Sequence, residues 1–183
     1  TANALTLLDE IEFDGKRESL GILRTYHSRH GAGPFPTERS ELTKAIPELH
    51  NGQGPWQGGF RNGHFDGVLA RYALEVCPVD SMVLTHVDRL PHFDMKYVTA
   101  YHSQTEVTSS LKLKDELTDL VYQEGLTRIL ENSKVIYSGR YDSEDSYIQA
   151  LEDLCGTPIS MLSRGPTTTD KFLRSRVSAS ALH

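Results

Sequence analysis

Apolar positions along the chain follow two rhythms, and their alternation sets the first expectations. Leu5, Leu8 and Ile11 recur at helical spacing and predict a short amphipathic helix over residues 1–12. The continuous run Leu20-Gly21-Ile22-Leu23 instead predicts a buried strand, over about residues 20–28. Thr37 resembles a helix N-cap with Glu38 and Glu41 in the first turn, and Pro47 ends that helix. Residues 50–63 read as a loop, because Gly52, Gly54, Gly58, Gly59 and Gly63 alternate with Asn51, Pro55 and Asn62. Phe65, Leu69, Tyr72, Ala73 and Val76 then form a helical stripe that stops at Cys77-Pro78.

Strands are predicted over residues 81–87, 96–102, 135–137 and 158–162. A polar helix is predicted over 115–131, weakened at Gly125 by ~1 kcal/mol relative to Ala. Asp142-Ser143-Glu144-Asp145 opens another helix, which Gly156 closes as the residue past its end. Strands separated by helices predict an α/β fold, a mixed sheet with flanking helices. No internal repeat is present; His64-Phe65-Asp66 and His92-Phe93-Asp94 share letters but not surroundings.

Composition narrows the class. A chain of 183 residues suits one domain and buries roughly 70% of its unfolded surface. Hydrophobic residues at 38% and charged ones at 24% are ordinary for a soluble globular protein. No apolar run approaches the ~20 residues of a membrane helix, and the first residues lack a basic signal-peptide region. The net charge of −6, with dispersed Lys and Arg, argues against a nucleic-acid surface. Cys77 and Cys155 sit in apolar helical patterns and read as buried free thiols of a reducing compartment.

Between the first strand and its helix lies the most constrained connection, Arg29-His30-Gly31-Ala32-Gly33-Pro34-Phe35-Pro36. Gly31 and Gly33 permit backbone conformations that other residues resist, while Pro34 and Pro36 fix φ. On spacing alone this is a tight turn with a basic pair at its entrance, or a shaped binding loop. Its string, Arg-x-Gly-Ala-Gly-Pro-Phe-Pro-Thr-Glu after Leu-Gly-Ile-Leu-Arg-Thr-Tyr, resembles the adenylosuccinate synthetase family. The resemblance continues in order. His64-Phe65-Asp66 and the following helix look like the family's Gly-Trp-x-Asp segment. Leu84-Thr85-His86-Val87-Asp88 looks like its Leu-Thr-Lys-x-Asp base-recognition motif. Gly156-Thr157-Pro158-Ile159 and Ser163-Arg164-Gly165-Pro166 look like its C-terminal motifs. The similarity covers roughly residues 20 to 175, and Trp56-Gln57-Gly58-Gly59-Phe60-Arg61 is similar to the amino-acid-binding loop of a divergent bacterial and phage branch.

The resemblance implies a purine-biosynthetic ligase. In the family, a nucleoside triphosphate (GTP or ATP here) and Mg²⁺ phosphorylate the 6-oxygen of a purine monophosphate, and L-aspartate then displaces the phosphate. It places residues 1–183 in the C-terminal half of such an enzyme, with 50–63 as a mobile substrate loop and 81–183 as a base-recognition subregion. The phosphate loop and the catalytic Asp and His belong to the family's N-terminal half. No Gly-x-x-x-x-Gly-Lys-Ser/Thr occurs in this chain, which opens on Thr1 and so is expected to be a fragment, cleaved product or partial chain. No catalytic residue or metal ligand is assigned within it. A homodimer, or assembly with an N-terminal half, in the cytoplasm is implied. Two alternatives stay open: a synthetase acting on a (d)GMP-type monophosphate, and a non-catalytic nucleotide-binding or regulatory module.

Site residues follow motif by motif. Asp88, at a strand end, is either a surface terminator or, as the family uses it, a paired acceptor for the N1–H and N2–H₂ donors of guanine. Thr85 and His86 precede it, and Ser163, Gly165 and Pro166 supply the second wall. His86 stands where the family has Lys, which makes any cation over the base weaker and pH-dependent. Arg61 is either a solvated charge or a bidentate clamp for the aspartate carboxylate, helped by Gln57. Trp56 reads as a loop peg. Arg29, Gly31 and Gly33 shape the nucleoside-site floor. Lys171, Arg174 and Arg176 read as a solvated face.

Overall fold

A computed structural model describes residues 2–48, 50–103, 106–114, 116 and 118–174. In chain order the elements are α1 (Ala2–Glu10), β1 (Leu20–Arg24), β2 (His27–His30), α2 (Ser40–Ala45), β3 (Phe60–Gly63), β4 (Phe65–Asp66), α3 (Gly67–Val76) and β5 (Ser81–Thr85). A 3-10 turn (Val87–His92) leads to β6 (Tyr97–His102), β7 (Val107–Thr108), α4 (Leu120–Asn132), β8 (Lys134–Tyr137), α5 (Glu144–Cys155) and β9 (Ile159–Ser163). A second 3-10 turn (Thr168–Asp170) precedes β10 (Lys171–Leu173). The mixed α/β architecture matches the expectation.

Among the described residues, the strands form three sheets. The first has the order β1-β5-β9-β10; β1, β5 and β9 run parallel and β10 is antiparallel to β9. Parallel strands are normally covered on both faces, and β5 (Ser-Met-Val-Leu-Thr) accordingly is apolar on both, with Met82, Val83 and Leu84 all buried. In the second sheet β2 pairs with β3 as an antiparallel ribbon. In the third, β6 takes β8 along one edge and β4 and β7 along the other.

Helix α3 joins the two cores. Its Ala70 packs with Met82, Leu84, Tyr147, Leu151 and Ile159 between α5 and the parallel sheet. Its Val68 packs with Val98, Tyr101, Leu111 and Leu126 between β6 and α4. Burying each such aliphatic side chain stabilises the fold by about 1.5–3 kcal/mol. Asp66 caps α3: Oδ1 accepts the N–H groups of Val68 and Leu69, both at 3.1 Å, and Oδ2 accepts the Tyr101 hydroxyl at 2.6 Å. Gly67 is required beside it, since a Cβ would lie 2.6 Å from the Val98 carbonyl oxygen. Among the described residues no helix is long and apolar enough to cross a membrane.

Several boundaries differ from expectation for local reasons. The strand expected over residues 20–28 breaks after Arg24, because Thr25 completes the pairing with its N–H on Thr85 O (3.0 Å) and its hydroxyl on His86 O (2.9 Å), after which the chain crosses to β3. Thr37 is no N-cap. Glu38 bridges Gly63 and the Arg39 N–H bonds Asn62 O at 2.9 Å, which holds this stretch extended and delays α2 to Ser40. Thr37 is buried, with no partner for its hydroxyl. Phe65 belongs to β4 and not to the helix that Asp66 starts. Residues 60–63 of the expected loop are strand β3.

Asp119 caps α4 by accepting from Tyr122 N at 3.0 Å, so the helix begins later than its charge pattern predicts; Asp115 and Leu117 lie outside the described residues, as does Arg176. Both cysteines are free, but Cys77 ends α3 in an exposed position, while Cys155 is half-buried, its thiol pushed up to about 11 by burial. The apolar face of α1 stays largely exposed at Leu5 and Ile11.

Candidate functional site

The carboxyl ends of β5 and β9 lie side by side, the position where open α/β sheets place ligands. A cleft of about 610 Å³ opens there. Thr85, His86 and Asp88 form one wall and Ser163, Gly165 and Pro166 another, so every residue expected at the base site lines one cavity. Pro47, Glu48, His50, Arg89 and Lys171 complete it.

Each wall has its own local cause. Thr85 donates its hydroxyl to Leu23 O at 3.1 Å, which fixes the strand end. His86 then adopts φ 61° and ψ 32°, a left-handed conformation that is uncommon outside glycine and turns β5 abruptly into the 3-10 segment. Burial, then Arg24, holds the His86 imidazole below its usual range, and its Nδ1 lies 3.0 Å from the Thr85 hydroxyl. A neutral ring therefore stands where a fixed cation is the family pattern. Asp88, in the first turn after it, is about one-third exposed, with Arg89 Nε 3.2 Å from its carboxylate. Its carboxylate keeps further acceptor positions facing the cleft.

On the opposite wall the Ser163 hydroxyl donates to Gly165 O at 3.1 Å. Gly165 is demanded by close approach, for a Cβ would sit 2.6 Å from Asp170 Oδ2. Lys171 is exposed, as expected, and also reaches back into this turn, donating to Gly165 O at 2.6 Å and Thr167 O at 2.9 Å. Glu48 accepts from Arg24 at 2.6 Å and from the Tyr26 hydroxyl at 3.1 Å. Burial opposes its charge, but Arg24 and these hydrogen bonds hold its carboxyl below the usual value. Glu48 and His50 carry no motif, so only the fold brings them here.

The remaining expected residues gather separately, at the tips of β2 and β3. Arg29 and Arg61 are direct cross-strand partners, like charges that repel unless each is diverted. Arg29 turns to Ala32 O, with Nε at 3.3 Å and Nη2 at 3.2 Å. Arg61 donates to Glu38 at 2.7 Å, Gly31 O at 2.6 Å and Gly33 O at 3.1 Å, while its buried Nε has no partner. Gly31 (φ 73°) lies against the Gln57 carbonyl, where a Cβ would come within 2.6 Å. Gln57 itself is exposed, on a small turn closed by mutual Gly54–Gly58 hydrogen bonds of 3.3 and 3.2 Å. Trp56 at its tip is 95% exposed and anchors nothing. Among the described residues no group of three or more His, Cys, Asp or Glu side chains could hold a metal.

Comparison with known proteins points to one family. A family model for adenylosuccinate synthetase matches residues 2–172. The adenylosuccinate synthetase of Hydrogenobaculum sp. (strain Y04AAS1) is 32% identical over 160 residues, 82% of this chain and 37% of the relative. That of Alkaliphilus metalliredigens is 31% identical, covering 86% of this chain and 39% of the relative. A solved structure of fully ligated adenylosuccinate synthetase from Plasmodium falciparum shares the fold, with a TM-score of 0.66 at 19% identity over 87% of this chain and 40% of that one. The chain thus spans about 37–39% of the length of these curated relatives. With motifs, fold and family model in agreement along nearly the whole described chain, it belongs to the adenylosuccinate synthetase family.

Proposed function

We propose that this chain is the base-recognising and amino-acid-binding part of a purine nucleotide synthetase that joins L-aspartate to an IMP-like monophosphate with hydrolysis of GTP. The observation that carries the reading is the convergence of Thr85, His86, Asp88, Ser163, Gly165 and Pro166 on one cleft at the ends of two parallel strands. Asp88 accepts the paired N–H donors of guanine, and the backbone around Gly165 approaches the ring closely. Adenine lacks that donor pair, which favours GTP over ATP. The Arg29–Gly33 loop forms the nucleoside floor. Arg61, with Gln57 beside it, takes the aspartate carboxylate by exchanging it for Glu38. The catalytic groups and Mg²⁺ belong to the remainder of the enzyme, and dimerisation in the cytoplasm follows the family.

Calorimetric titration with GTP, ITP and ATP tests the base assignment. Asp88→Ala is expected to weaken GTP by about 1–3 kcal/mol and to erase the preference for GTP over ITP, which lacks the 2-amino donor. Unchanged GTP affinity in a folded Asp88→Ala protein would reduce Asp88 to a strand terminator.

A further inference from the structure

A second cleft, of about 300 Å³, shares no lining residue with the first. Arg39 and Leu42 come to it from the start of α2, Phe93 and Asp94 from the end of the first 3-10 turn, and Lys96 from the approach to β6. His64, between β3 and β4, is 3% exposed and forms part of its wall. Among the described residues neither nitrogen of the His64 ring makes a hydrogen bond, and Nδ1 is fully buried without a partner. Behind it Tyr137 of β8 meets the His64 ring edge-on at 5.2 Å, and its hydroxyl is likewise buried and unpaired.

Two cations flank this unpaired pair. Lys96 Nζ lies 4.8 Å and Arg39 Cζ 5.4 Å from the Tyr137 ring centre. Asp94 offsets Lys96 only loosely, at 3.8 Å, and is shared with Arg140 at 3.2 Å. Arg39 has no carboxylate partner among the described residues; Nη1 donates to Glu38 O at 2.6 Å and the rest of the fork is open. Exposed Glu41 adds a negative charge to the lining. Burial first, then Lys96 and Arg39, pushes the His64 imidazole down to about 4, so at neutral pH the ring is uncharged, with one nitrogen a donor and the other an acceptor. Buried polar groups in native proteins nearly always have partners, and these lack them beside an open guanidinium.

We propose that this cleft binds a small oxyanion, the phosphate of a monoester or a short carboxylate, with Arg39 and Lys96 supplying charge and His64 a neutral N–H donor. Phe93 and Leu42 give the cleft a low-dielectric wall, which strengthens charge-assisted hydrogen bonds. The proposal does not rest on the reading of the base cleft.

Titrating the chain at pH 7 with inorganic phosphate and, separately, with succinate tests it, read by the imidazole NMR signals of His64 and by calorimetry. Saturable binding that moves the His64 signals is expected, and the tighter of the two ions identifies the source. Arg39→Gln should weaken it by about tenfold or more. His64→Phe keeps a ring but removes both nitrogens, and should weaken it too. Lys171→Ala, in the other cleft, should leave it unchanged. Absence of saturation by both ions on the folded chain, or binding that survives both Arg39→Gln and His64→Phe, would overturn the proposal.

Discussion

Removing one hydroxyl, by Tyr101→Phe, isolates the support given to the carboxylate that starts α3. Asp66 is fully buried, and among the described residues Tyr101 supplies the one hydrogen bond on Oδ2, at 2.6 Å. The Phe ring keeps the packing against Val68, Val98 and Leu126, so the apolar contribution cancels between the two proteins. What remains is a hydrogen bond to a charged group, about 1.5–3 kcal/mol. Protonation limits the loss. Burial raises the Asp66 carboxyl above its usual range, and the Tyr101 hydrogen bond is the first influence that lowers it. Without that bond the folded-state pKa rises further, and each unit costs about 1.4 kcal/mol where the unfolded carboxyl is ionised. The destabilisation is therefore largest near neutral pH and shrinks as pH falls through the raised folded-state range, where Asp66 binds the proton in both folded proteins. Urea unfolding of the two proteins at pH 7 and pH 4 measures both terms. A difference below about 0.5 kcal/mol at pH 7, or one that does not change with pH, would refute the reasoning.

Other perturbations have equally definite signs. Burial pushes His27 and His64 down to about 4 from an ordinary 6.5, so their contribution is present above pH 6.5 and lost as pH falls toward 4; at most about 3 kcal/mol each should disappear in denaturant melts across that window. Gly63→Ala puts a Cβ 2.4 Å from the Thr37 carbonyl oxygen and should destabilise by roughly 1–3 kcal/mol, whereas Gly125→Ala, with nothing within 4 Å in α4, should stabilise by up to ~1 kcal/mol; thermal melts compare them. Arg61→Lys keeps the charge but loses the planar fork that spans Glu38, Gly31 and Gly33. It should speed proteolysis within residues 29–36 and, in the complete enzyme, raise the KM for aspartate more than that for either nucleotide.

The sequence was most legible where one local signal set the structure. Ser143 caps α5, Gly156 ends it at φ 63°, and the uninterrupted apolar run of β5 announced a strand buried on both faces. It was less legible where a residue obeys a distant partner. Thr37 has the letters of a cap, yet its neighbours answer to Asn62 and Gly63 in β3. Trp56 looks like an anchor because of its size, but the tight Gly54–Gly58 turn lifts it into solvent. That the two expected motifs would line one cleft was readable because both end strands. Glu48 and His50 were not, since they reach that cleft through the loop after α2, whose path no periodicity encodes.

Thr25 has one more consequence. It is the residue at which the chain leaves the parallel sheet for the β2–β3 ribbon, and such a crossing is where a swivel would ordinarily be sought. Here the N–H is tied to Thr85, the hydroxyl to His86 and the carbonyl to the Tyr147 hydroxyl at 3.0 Å, so the end of β5 and helix α5 together grip one residue. The joint is welded. Relative motion of ribbon and sheet would have to break these bonds, so bending is left to the glycine-rich tips beyond them.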